Sequence, residues 1–215
     1  MPNTTFSMGW EKLSEVMKRL KPITSTQETR LVGQSLHFHV DTAGEVLVTA
    51  LDGYRQASVL TCCGDKPEQT IDFLVLPFDV PKVPRLPVPV PVQINVTDKQ
   101  AVFTFNSCDH VKTRTARLVE AVPFDIANAI PKDKPLLQFV VNPYYLIDAI
   151  KATMAKKKDH SPIVLNFYGE LNPLIVTGNP SAPCEAMVLP VRNNGHTETS
   201  TTVIEHVRDL AKRKE

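Results

Sequence analysis

The chain has 215 residues, 42% of them hydrophobic, with 24 basic against 23 acidic side chains and a formal charge of +1. That is enough apolar material for one large or two small packed domains, which excludes disorder of the whole chain. The charge balance excludes a bulk field that would hold nucleic acid by counterion release, so any grip on DNA is local or topological.

No apolar run approaches the roughly 20 residues that cross a bilayer, and the N-terminus lacks the charged-then-apolar layout of a signal peptide. The expectation is a soluble, cytoplasmic protein with no membrane partner.

In chain order, Trp10, Leu13, Val16, Met17 and Leu20 recur at helical spacing, with Glu11, Glu15, Lys18 and Arg19 on the other side. This predicts an amphipathic helix that ends before Pro22. Residues 35–62 read as consecutive strands: Leu36–Val40, a turn at Asp41–Gly44, Val46–Ala50, and Tyr54–Thr61 after a tight Asp52-Gly53 turn. His37 and His39 alternate with apolar residues and share one strand face. A metal there would need an Asp, Glu or Cys partner that the surrounding sequence does not supply, so a half-exposed strand face is expected. The four cysteines, Cys62, Cys63, Cys108 and Cys184, show no C-x-x-C spacing and are expected as reduced thiols.

Further strands are predicted at Ile71–Leu76, Val92–Val96, Ala101–Phe105 and Thr113–Val119, with Thr97–Gln100 as a hairpin loop, giving an antiparallel sheet. Prolines at 77, 81, 84, 87, 89 and 91 mark the segment between the first two of these. Proline in a helix interior costs about 3 kcal/mol, so this piece is expected to be extended and at the surface. It reads as a rigid connector, with a Pro-rich recognition ligand as the alternative. The run from Val122 to Pro135 reads as a linker, which divides the chain into domains at 1–121 and 136–215.

Asn142 suits an N-cap and Pro143 a first helical position, so a second helix is expected to start there. Leu146, Ile147, Ile150 and Met154 share one face. Tyr145 falls on the opposite side with Ala149, Ala152 and Lys156, where an aromatic covers a neighbouring loop or meets a partner. Beyond come strands at Ile163–Tyr168, Leu174–Thr177 and Ala186–Val191, then a terminal helix over Val203–Glu215. No nucleophile elbow, P-loop or H-E-x-x-H motif is present, and no carboxylate or Cys/His spacing points to acid–base chemistry. The expectation is a non-enzyme with no cofactor and no metal.

Three segments carry a resemblance: Leu51-Asp52-Gly53-Tyr54-Arg55-Gln56-Ala57, the run from Asn142 to Ile150, and Ala186-Met187-Val188-Leu189-Pro190-Val191-Arg192. In order and residue type they resemble the bacterial DNA polymerase III β subunit, the sliding clamp. The resemblance implies an α+β fold of β-α-β-β-β units with antiparallel sheets and few helices. Residues 9–125 look like the middle clamp domain and 126–192 like the second half of the last one. It further implies a pocket for short Gln-Leu-x-Leu-Phe-like peptides of polymerase, loader or repair proteins. Mapped onto this chain, the pocket comprises Gly53, Tyr54, Arg55, Asn142, Tyr145, Leu171, Met187, Val188, Leu189, Pro190, Val191 and Arg192.

Lys18, Arg19, Lys151 and Lys156 are the corresponding candidates to face double-stranded DNA, through weak or topological contact. The implied function is a DNA polymerase processivity factor or divergent clamp homologue. The alternative is a stand-alone peptide-binding module that competes for or recruits clamp partners without encircling DNA. The Pro-rich segment stands where a second DNA-facing helix is expected, and half of the last domain has no counterpart. Two copies therefore do not rebuild a ring of six domains, and a homo-oligomer would be of another kind.

Overall fold

The structure, a computed structural model, describes residues 3–26, 31–82, 90–106, 111–125, 137, 139–154, 161–178, 184–191 and 206. Contacts divide the chain into two compact units, Met1–Ile126 and Ala127–Glu215.

In unit 1, β1 (Thr4–Gly9) leads directly into α1 (Trp10–Leu20), and a 3-10 turn at Lys21–Ile23 follows. A single helical turn, α2 (Leu31–Gln34), precedes β2 (Leu36–Val40), β3 (Glu45–Leu51), β4 (Gln56–Cys62) and β5 (Ile71–Val75). After the Pro-rich segment come β6 (Pro91–Val96), β7 (Gln100–Asn106) and β8 (Val111–Arg117). The strands form two antiparallel four-stranded sheets, β4-β3-β2-β5 and β1-β6-β7-β8. Alternation sends Leu36, Phe38 and Val40 from one sheet, and Val92, Ile94 and Val96 from the other, into one core. Leu13, Val16 and Leu20 of α1, all fully buried, complete it. Phe38 and Phe73 stack at 5.0 Å across β2 and β5.

Several sequence expectations are corrected. β1 was not anticipated, and its Phe6 and Met8 are core residues. β4 starts at Gln56 rather than Tyr54, because residues 52–55 form the turn. The Pro-rich segment opens with a hydrogen-bonded turn, Asp79 N–H donating to the Leu76 carbonyl at 3.0 Å, and not as an extended surface run. Pro77, Val80 and Pro81 are buried, since Val80 joins the shared core.

His37 and His39 are not a half-exposed face without a partner. Both donate to Asp72 Oδ1 at 2.9 Å, and His39 is buried. The β2–β5 pairing sets His39 opposite Asp72, a carboxylate 33 residues away in sequence. Burial pushes the Asp72 carboxyl up, but the hydrogen bonds from His37 and His39 outweigh it and hold the group well below the ordinary carboxylate range.

Unit 2 contains α3 (Pro143–Thr153), β9 (Val164–Asn166), β10 (Leu174–Thr177) and β11 (Glu185–Val188). The strands form one antiparallel sheet in the order β11-β10-β9. Its small core consists of Ala149, Leu174, Val176 and Val188, with Phe139, Val141, Leu146 and Ile150 packed against it. β9 and β11 are shorter than expected: Leu189–Val191 continue beyond the last strand without pairing in the sheet. The terminal helix expected over Val203–Glu215 lies outside the described residues except for His206, which is helical.

Candidate functional site

The β3–β4 connection is a tight turn built by one carboxylate. Asp52 Oδ1 accepts from the backbone N–H groups of Tyr54 at 2.9 Å and Arg55 at 3.0 Å. Its Oδ2 accepts from Arg55 Nε at 2.8 Å, while Arg55 Nη2 donates to the Pro22 carbonyl at 3.0 Å. The Tyr54 N–H, then the Arg55 side chain, hold the Asp52 carboxyl below its ordinary value against a smaller opposing effect of burial. Gly53 sits at φ +94°, a left-handed conformation that an L side chain rarely adopts. Tyr54 projects from the turn at 93% exposure.

Behind this turn lies a hollow of about 480 Å³, lined by Leu31, Val32, Gly33, Leu51, Asp52, Gly53, Val122 and Phe124. The α2 turn sets Leu31 and Val32 on one wall and is closed by Ser35 Oγ donating to the Leu31 carbonyl at 2.6 Å. Val122 and Phe124 supply another and remain largely exposed. The lining is apolar apart from Asp52, whose oxygens are already engaged by the turn. The hollow is therefore suited to an apolar side chain rather than to a charged group. Sequence reasoning found Gly53 but missed Leu31, Val32, Leu51, Val122 and Phe124. The available signal was the pair of bulky apolar residues flanking Pro123.

In unit 2, Asn142 caps α3 through Oδ1, which accepts from Tyr144 N–H at 2.9 Å, and Pro143 occupies the first turn. The buried stripe differs from the expected one. Ala149 and Thr153 are the buried residues of α3, Leu146 and Ile150 pack beside them, and Ile147 is largely exposed. Ala149 therefore does not share a solvent face with Tyr145, because the sheet approaches α3 about one position round from the apolar stripe. Tyr145 itself is 64% exposed. Leu171 is 85% exposed in the turn that opens at Gly169, and Met187, Leu189 and Val191 are also exposed. Pro190 is half-buried, and Val188 is turned into the core of the unit. Arg192 lies outside the described residues.

Of the basic candidates, Lys18 and Arg19 lie on the exposed side of α1, where Arg19 pairs with Glu15. Lys151 is exposed and meets Asp148 at 3.4 Å. Lys156 lies outside the described residues. Pairs this exposed are worth little. Among the described residues, no set of three or more His, Cys, Asp or Glu side chains is arranged to hold a metal ion. Nor is any described helix long and apolar enough to cross a membrane.

No family model and no curated protein matches the sequence. Solved structures do match the fold, and they are DNA clamps. A DNA polymerase sliding clamp from Bacillus subtilis superposes with a TM-score of 0.72 at 17% identity, over 87% of this chain and 49% of that one. A sliding clamp (DNA polymerase III subunit beta) from Bartonella birtlesii bound to griselimycin gives 0.69 at 20% identity, over 87% and 50%. A Helicobacter pylori beta clamp bound to a DNA ligase peptide gives 0.69 at 14% identity, over 89% and 51%. The fold is thus that of the bacterial DNA polymerase III β sliding clamp, in a chain that spans about half the length of the clamps it matches.

Proposed function

We propose that the protein is a divergent clamp homologue that acts in DNA replication or repair by docking short apolar peptide motifs of other proteins. The observation that carries this is the apolar hollow behind the Asp52–Arg55 turn, a concavity with a hydrogen-bonded rim and no unengaged charge. In unit 2, the exposed Tyr145, Leu171, Met187 and Leu189 are a separate set of apolar side chains open to such a peptide. Support comes also from the Helicobacter pylori clamp that binds a ligase peptide on the same fold. The role is docking and not catalysis: the hollow offers side-chain volume and backbone groups but no proton-transfer pair.

The mixed charge of α1, with Arg19 tied to Glu15, favours a protein that engages DNA weakly or leaves it to its partners. The test is a calorimetric titration of the folded chain with a Gln-Leu-x-Leu-Phe peptide. Linear motifs in such grooves give affinities near micromolar, about −8 kcal/mol. Absence of heat and of binding well above that range would remove the proposal.

A further inference from the structure

Unit 1 is made of two equivalent halves, and unit 2 repeats one of them. The sheet orders β4-β3-β2-β5 and β8-β7-β6-β1 are the same once each strand number of the first half is raised by four. In each sheet three strands come from one half and the fourth, β5 or β1, is the leading strand of the other. The two halves therefore exchange a strand reciprocally.

One backbone hydrogen bond marks each half. The residue shortly after its last strand donates to its own leading segment: Gly64 N to the Ser7 carbonyl at 2.8 Å, and Val119 N to the Leu74 carbonyl at 2.9 Å. Unit 2 shows the same bond a third time, from Val191 N, after β11, to the Val140 carbonyl, before α3, at 2.8 Å. Residues 139–191 are thus a single half with a leading segment to give and an edge to fill. Among the described residues, nothing pairs with the outer edge of β9, the position that β5 fills beside β2 and β1 fills beside β6.

Among the described residues, nothing covers the face that the other half covers in unit 1. Beside β9 lies a hollow of about 420 Å³ lined by Leu137, Phe139, Val141, Leu146, Leu165, Phe167 and Leu174, with no charged residue among them. Phe139 and Phe167 meet edge to face at 5.7 Å on its wall. An unpaired edge next to an uncovered apolar face is a combination that folded proteins cover.

We propose that unit 2 is completed by unit 2 of a second copy of this chain, related by a twofold axis. The Phe139–Val141 segment of each copy lies along β9 of the other, so that the two hollows close on one another. The occupant is a second copy because the exchange within unit 1 is reciprocal: each half both gives a leading strand and receives one. Two identical halves meet that requirement isologously.

The test uses the full chain. Light scattering across a dilution series should give a mass near twice the 23.9 kDa of one chain, falling to the single-chain value at low concentration. Hydrogen exchange at those β9 amides that do not bond to β10 should be slow where the mass is doubled and fast where it is single. Leu165→Asp should yield the single-chain mass with unchanged circular dichroism, whereas Phe78→Asp on unit 1 should keep the doubled mass. Should Leu165→Asp fail to fold, the dilution-dependent exchange of the native chain decides. A single-chain mass at every concentration overturns the proposal, as does slow exchange of the outward-facing β9 amides in the single-chain form, since the chain then covers its own edge. A doubled mass indifferent to Leu165→Asp places the interface elsewhere and overturns it equally.

Discussion

Arg55 and Asp52 hold one another across the turn they bound: Nε of the arginine donates to Oδ2 of the aspartate at 2.8 Å, and the same guanidinium reaches the Pro22 carbonyl. The arginine is thereby a brace for the turn whose Asp52 and Gly53 line the hollow. Arg55→Ala and Asp52→Asn should each weaken peptide binding, and the double variant should bind no worse than the weaker single one. Additive losses in that cycle, measured by calorimetry, would show instead that the two side chains meet the ligand independently.

Tyr145→Ala should separate binding from stability. Its side chain is exposed, so truncation should cost less than about 1 kcal/mol of unfolding free energy while weakening peptide binding by at least about 1 kcal/mol. Phe73→Ala, which removes the ring stacked on Phe38, should cost about 3–5 kcal/mol of stability. Denaturant unfolding alongside peptide titration reads both. A Tyr145→Ala protein that is as unstable as Phe73→Ala, with its affinity intact, would make Tyr145 a structural residue.

Asp72 should make stability depend on pH on the acid side. Its carboxyl lies below its ordinary value in the folded chain, so its contribution is present above about pH 4 and is lost as pH falls further. Asp72→Asn should lower the melting temperature at neutral pH and flatten the fall of stability below pH 4. An unchanged acid limb in the variant would show that other carboxylates set it.

The histidine pair illustrates how far the sequence could be read. Alternation showed that His37 and His39 share a face, because period two is a local property of a strand. Their carboxylate partner stands 33 residues away from His39 and is delivered only by β2–β5 pairing, which no local pattern encodes. α1 was legible because five apolar residues repeat at helical spacing, whereas β1 has only Phe6 and Met8 inside a short polar stretch and gains its strand geometry from β6. The candidate site divides the same way. Asp52-Gly53 announced its turn through residue chemistry. The walls of the hollow come from the α2 turn, the end of β3 and the stretch around Pro123, three places joined only in the fold.

Weak attraction for DNA follows from the charges. Linear duplex should be poorly retained at physiological salt, equally by the native chain and by a Lys18→Glu/Lys151→Glu variant, because both lysines stand in solvent and Lys151 already meets Asp148. Filter binding across a salt series checks this. Tight, salt-resistant retention of open-ended duplex would require a basic surface that the described residues do not present.

The most direct measurement is an amide NMR titration of the full chain with a Gln-Leu-x-Leu-Phe peptide, compared with a scrambled peptide of the same composition. The expected result is a saturable shift of resonances from Leu31–Gly33, Leu51–Gly53 and Val122–Phe124, the lining of the hollow behind the turn, with no response to the scrambled sequence. Saturable binding that leaves those resonances unmoved, or no binding at all by the folded chain, would contradict peptide docking at this site.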